Sequence, residues 1–229
     1  VPAFAPLAAL QTNSLGSFDF TNGADGVSAL AGNKSGYNNI AIGGSTLVNN
    51  NNGFSNIGIG VSALSLNTVG TNNIALGDGA LFFNDHGSSN IAIGISALSS
   101  LTQGNQNIAI GSGSLTNAQS IFYNVAIGDS VLHNNTTGTV NTAVGTYSLF
   151  HNTSGGHNVV LGFENMKSNV TGSYNTSVGS GTLIDNTSGS NNAALGYRSM
   201  FKNKIGNENK ASTVKIDTEN LDSGIYLIK

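Results

Sequence analysis

Asparagine recurs at a fixed interval of 17 residues, at Asn22, Asn39, Asn56, Asn73, Asn90, Asn107, Asn124, Asn141, Asn158, Asn175 and Asn192, with no insertion. Glycine stands four residues after each of them, from Gly26 and Gly43 through to Gly196. Leucine or methionine follows four residues later, from Leu30 and Leu47 to Met200. The unit reads N-x-A-x-G-x-x-a-L-x-x-N-x-x-G-x-x, where a is usually a small residue. A short, strict internal period is the signature of a repeat architecture and restricts the fold more than any other feature of a sequence. A two-helix α-solenoid unit needs about 34 residues, twice this period.

The pattern inside the unit is that of strand. Asn39-Ile40-Ala41-Ile42-Gly43 alternates, so Ile40 and Ile42 share one face. Gly43 supplies a sharp corner, and Asn135-Thr136-Thr137-Gly138 and its equivalents mark a second corner. Each unit is therefore two short strands and two corners, and the sequence predicts an all-β parallel solenoid of eleven 17-residue coils. A lone coil buries too little to offset ordering its backbone, at about 1–2 kcal/mol per residue, so neighbouring coils must share one core. Stacked at about 4.8 Å, the coils make a rod on the order of 50 Å long.

The side-chain pattern sets further expectations. The second, fourth and ninth positions, such as Ile91, Ile93 and Leu98, are expected in the core. The invariant first-position Asn is read as an amide ladder, each side chain bonding to those above and below. The third position is small in nearly every coil, as at Ala24, Ala41, Gly58 and Ala75. Pointing away from the Ile pair, it would admit the second strand of its own coil or a neighbouring subunit. One coil departs from the rule: Ile121 stands where other coils have Gly, followed by Phe122 and Tyr123. These three read as a contact patch or a local kink.

Residues 1–21 and 209–229 flank the solenoid, which spans 22–208. The opening Val1-Pro2-Ala3-Phe4-Ala5-Pro6 reads as a mature N-terminus left after processing. The far end alternates like a strand at Val214-Lys215-Ile216 and again, more apolar, at Ile225-Tyr226-Leu227-Ile228. Apolar ends either fold back as caps or engage the next subunit by strand addition. The candidate subunit contacts are accordingly Val1, Phe4, Leu7, Leu10, Ile121, Phe122, Tyr123, Ile225, Tyr226, Leu227 and Ile228.

Composition narrows the function. Asn (34) and Gly (31) fill over a quarter of the 229 residues, and only 8% are charged, against roughly 25% in a typical protein. A net charge of −3 leaves no cationic footprint for nucleic acid or an anionic membrane surface. The absence of Cys excludes disulfides and thiolate metal sites. No apolar run approaches the roughly 20 residues of a membrane helix.

Motifs that mimic chemistry dissolve into the repeat. Gly128-Asp129-Ser130-Val131-Leu132 resembles the nucleophile block of GDSL-type hydrolases, yet it stands in register with Gly94-Ile95-Ser96-Ala97-Leu98. His133 and His151 sit 18 residues apart, a spacing that could pair them for a metal only with carboxylates nearby, and none is in register. Asp78 and Asp129 share a position but lie three coils apart, unlike a calcium-binding roll. Sequons occur at Asn33, Asn134, Asn135, Asn152, Asn169, Asn175 and Asn186. No catalytic residue, metal or cofactor is assigned.

Asn90-Ile91-Ala92-Ile93-Gly94, Asn107-Ile108-Ala109-Ile110-Gly111 and Asn141-Thr142-Ala143-Val144-Gly145 resemble the tandem N-T-A-x-G repeats of bacterial surface proteins and fibre-like viral proteins. They are also similar to the S-V-A-I-G head repeats of trimeric autotransporter adhesins, whose unit is shorter; that resemblance implies a parallel β-roll and leaves trimerisation open. The tail from Asn220 to Lys229 resembles the end of the sorting domain on type IX secretion cargo, which implies export from a Bacteroidetes-like bacterium.

These features together predict a non-enzymatic extracellular or cell-surface structural protein, a bacterial or phage-fibre rod. Its partner is itself, through its apolar termini and its small-residue face, with no nucleic acid and no membrane insertion. An adhesin stalk or tip presenting a surface ligand is the alternative, with Phe54, Phe82, Phe83 and Phe150 among its candidate aromatics. Ice binding is a third, on the thirteenth-position column of Thr68, Thr102, Thr136, Thr153 and Thr187.

Overall fold

The computed structural model describes residues 22–205, and these fold as a parallel β-solenoid with no helix among them. Each coil contributes a three-residue strand, beginning with Gly23–Asp25 and Ile40–Ile42 and ending with Ala193–Leu195. Eleven such strands form one parallel sheet in sequence order, interrupted in the chain only by two further strands, Gln103–Asn105 and Ser120–Phe122. Register is strict: Ile74 pairs with Ile91, Ala75 with Ala92 and Leu76 with Ile93, so like stacks on like at every step of 17.

Backbone bonds between coils continue outside this sheet. Leu64 N donates to Ala80 O, and Leu66 N to Phe82 O, in the coil that follows. The corners are made by residues with positive φ. The fifth-position glycines lie between 111° and 140°, and a Cβ on Gly94 would sit 2.6 Å from the carbonyl carbon and oxygen of Gly111 in the next coil. Only glycine fits there. More unusual is the ninth-position column, where Leu47, Leu64, Leu98 and Leu149 all adopt φ near 50° and are fully buried. A left-handed Leu costs about 1 kcal/mol, and burial in a column of identical leucines offsets it.

The interior differs from the expected one. The third-position residues point inward: Ala41, Ala75, Ala92, Ala109, Ala126 and Ala143 are completely buried. The second and fourth positions point outward, Ile40 and Ile42 being 42% and 43% exposed. The reason is the width of the coil. A Cβ on Gly58 would lie 2.7 Å from Thr46 Cγ2 on the opposite wall, with Leu47 Cδ1 at 3.7 Å. The two walls approach closely: opposite Thr46 even a Cβ is too much and Gly stands, and in the other coils the buried third position holds Ala, Ser177 or Val160 but never Ile. The small third-position column is therefore the inner lining of each chain, with no part in contact between chains.

Asparagine fills much of the remaining interior. Asn73 Nδ2 donates to Asn56 Oδ1 (3.1 Å) and to Gly87 O (2.8 Å), and Asn73 N donates to Asn56 Oδ1 (3.1 Å). Asn73 Oδ1 in turn accepts from Asn90 N at 3.0 Å. Every polar atom of the amide is used, as a buried amide requires. A second ladder runs at the twelfth position, where Asn67 Nδ2 donates to Asn50 Oδ1 (2.8 Å) and Gly70 O (3.0 Å).

That second ladder breaks at Leu101 and Ala118, leaving the buried Asn84 Oδ1 without a partner. Here the corner becomes a strand pair, Gln103–Asn105 beside Ser120–Phe122, with Gly104 opposite Ile121. Ile121 is completely buried with Leu101 and Ala118 in the core. An apolar cluster thus replaces the amides of two coils and the glycine of one, which corrects the sequence expectation that placed Ile121 on a contact surface.

Candidate functional site

The inward small residues and the outward, mostly aliphatic residues of the strands give the molecule one aliphatic face. Its two columns follow the sheet: Ile40, Ile57, Ile74, Ile91, Ile108 and Val125 in one, Ile42, Ile59, Leu76, Ile93, Ile110 and Ile127 in the other. Neighbours above and below stand about 4.8 Å away, so each side chain shields the next and only its tip faces solvent. The pairs are strictly in register, which makes the face regular along the axis.

Exposed apolar residues also border this face in the chain. Val61, Ile95 and Phe163 stand two residues beyond the fourth position, and Tyr123, Val140 and Tyr174 two residues before the second. Two columns about 7 Å apart, running over the ten coils from Ile40 to Leu195 with Thr142 and Thr176 as their polar members, expose an apolar patch on the order of 600 Å². A patch of that size is at the upper end of what soluble monomers expose, and such patches are often interaction sites.

Of the eleven candidate contact residues, Val1, Phe4, Leu7, Leu10, Ile225, Tyr226, Leu227 and Ile228 lie outside the described residues. Ile121 is core, Phe122 is half-buried and Tyr123 is 58% exposed, so only Tyr123 stands out from the surface. The first-position asparagines lie inside the coil, bonded as described above. Sequence reasoning points large aliphatics into the core and so misses the outward Ile columns; the mostly Ala column between them carries the opposite signal.

The remaining motifs occupy ordinary structural roles. Phe150 lies between His133 and His151, stacked on the first at 5.1 Å and edge-on to the second at 4.8 Å. Ser130 Oγ donates to Asp129 Oδ2 at 3.0 Å on an exposed corner, while His133 Nδ1 lies 2.9 Å from Gly113 O. Among the described residues no group of three or more His, Cys, Asp or Glu could hold a metal ion. Five of the seven sequon asparagines (Asn135, Asn152, Asn169, Asn175 and Asn186) are buried in the ladders. The thirteenth-position threonines stand on the wall of a trough, and their hydroxyls bond to the next coil, as Thr102 Oγ1 does to Gln119 O.

Comparison with known proteins finds no family model, curated protein or solved structure that matches this chain.

Proposed function

We propose that this protein is a non-enzymatic structural rod that associates with copies of itself through the outward Ile columns, building a fibre or surface assembly outside the cell. The observation that carries the reading is the aliphatic face, unbroken at both positions from Ile40 to Ile127. Its area approaches the roughly 800 Å² that each partner buries in a standard interface, before the bordering Val, Phe and Tyr side chains are counted. Its regular spacing lets a second copy lay the same columns alongside, side chain between side chain, with sheets about 10 Å apart. The low charge adds little repulsion between copies. Export rests on the surface-repeat resemblance and on the tail from Asn220 to Lys229.

The test is the association state of the full chain, by analytical ultracentrifugation and negative-stain electron microscopy. The parent should form oligomers or filaments at micromolar concentration. Replacing Ile93→Lys and Ile110→Lys together should leave single rods with an unchanged circular dichroism spectrum. A parent chain that stays monomeric at high concentration would sink the proposal.

A further inference from the structure

A second feature lies away from the strand face. Position twelve of each coil turns inward, as at Asn84 and Asn135, which are fully buried. The side chains at positions eleven and thirteen are left standing as two rails with the backbone between them as floor. These rails enclose a trough in two successive stretches, one of about 720 Å³ from Gly32 to Thr102 and one of about 630 Å³ from Ser100 to Val170.

The second stretch has a distinct chemistry. Its rails include Asn117, Asn134 and His151 on one side and Gln119, Thr136 and Thr153 on the other, and no Asp, Glu, Lys or Arg lines it. Asn117 Nδ2 donates to Asn134 Oδ1 at 2.9 Å. Thr136 Oγ1 and Thr153 Oγ1 donate to the carbonyls of Thr153 and Val170, at 3.0 and 3.1 Å. Both hydroxyl oxygens therefore keep lone pairs for an outside donor, and the amides keep both donor and acceptor capacity.

We infer that this trough binds a neutral polysaccharide chain lying along the solenoid axis. A pair of polar side chains returns at three successive coils, Asn117 with Gln119, Asn134 with Thr136 and His151 with Thr153, about 4.8 Å apart, so the site repeats in one direction as a polymer does. Sugar hydroxyls donate and accept at once and carry no charge, matching rails of amides and hydroxyls. The His151 ring and Val170 offer apolar surface to the C–H faces of sugar rings. An extended polypeptide fits less well, because strand addition needs free backbone groups. The amides here are already spent between coils: Asn117 N on His133 O, Asn134 N on Phe150 O and Thr136 N on Thr153 O.

The inference is independent of self-association, and one set of variants separates the two. Affinity electrophoresis and calorimetry would use the full chain with a mixed-linkage β-glucan, a galactomannan, an arabinoxylan and a dextran, with polygalacturonate and gelatin as contrasts. At least one neutral polymer should bind, with an affinity insensitive to salt. Asn117→Ala with Asn134→Ala should weaken it roughly tenfold, the loss of one or two hydrogen bonds, at an unchanged unfolding midpoint. Ile93→Lys should bind the glycan like the parent whatever it does to assembly. The inference is overturned if none of the four neutral polymers binds, if the double variant binds as well as the parent, or if gelatin alone is retained.

Discussion

At the residue scale the asparagines carry the structure. Asn73 takes part in bonds to Asn56, Gly87 and Asn90 with no atom left over. Aspartate offers no N–H to pass on, and glycine has no side chain, which is why neither occurs in the column. Asn73→Ala would strand the buried Asn90 backbone N–H, while the Gly87 carbonyl would keep Asn84 Nδ2 as its donor. We expect a loss of about 2 kcal/mol, since a buried unsatisfied group costs about 1–3 kcal/mol. Urea unfolding measures it, with the exposed Asn117→Ala as the reference, expected within about 0.5 kcal/mol of the parent. A loss at Asn73 no larger than at Asn117 would mean the ladder adds nothing to stability. The ladder was legible in the sequence, because an invariant polar residue at a stacking period has few other uses. The left-handed leucines were not: Leu has no preference for positive φ, and only the neighbouring coils impose it.

At the scale of the element, the unit is the coil. Gly94 needs Gly111 beneath it and Leu98 N bonds to Ser114 O, so no coil is complete without the next. Removing residues 56–72 joins Ser55 to Asn73 and restores every column. The product should keep its β circular dichroism and a cooperative transition, and small-angle scattering should show a rod about 4.8 Å shorter. Removing only residues 56–63 shifts every column behind the cut and should abolish that transition. A tolerated eight-residue deletion would show that register is not what holds the coils. The segment from Leu101 to Phe122 shows where legibility stopped at this scale. The break in the pattern was plain, yet whether Ile121 pointed in or out depended on Ala118 in its own coil and on Leu101, which the stacking brings from the coil before.

At the scale of the whole molecule, the two long surfaces differ in kind. One is an aliphatic face of two Ile columns; the other is a polar trough. An assembly held by the first is held by apolar burial, which salt does not screen and cold weakens. Sedimentation should therefore show the oligomer persisting from about 0.05 to about 1 M NaCl and loosening near about 0 °C. An assembly that dissolves in salt would point to charge pairs and away from the Ile face.

The sequence by itself determined the period, the strand positions, the glycine corners and the stacking of like on like, because each follows from spacing along the chain. It determined also that Ile and Ala lie on opposite sides of every strand, since alternate residues must. Only the tertiary structure decided which side is the interior. Alternation is symmetric with respect to inside and outside, and the usual tie-breaker, that large aliphatics go in, fails when the opposing wall stands within methyl-group distance. At Gly58 a Cβ alone would already stand 2.7 Å from Thr46 Cγ2, and the buried column elsewhere holds Ala, Ser177 and Val160 but no Ile. The larger side chains were therefore left outside, where they make the surface on which the proposed assembly depends.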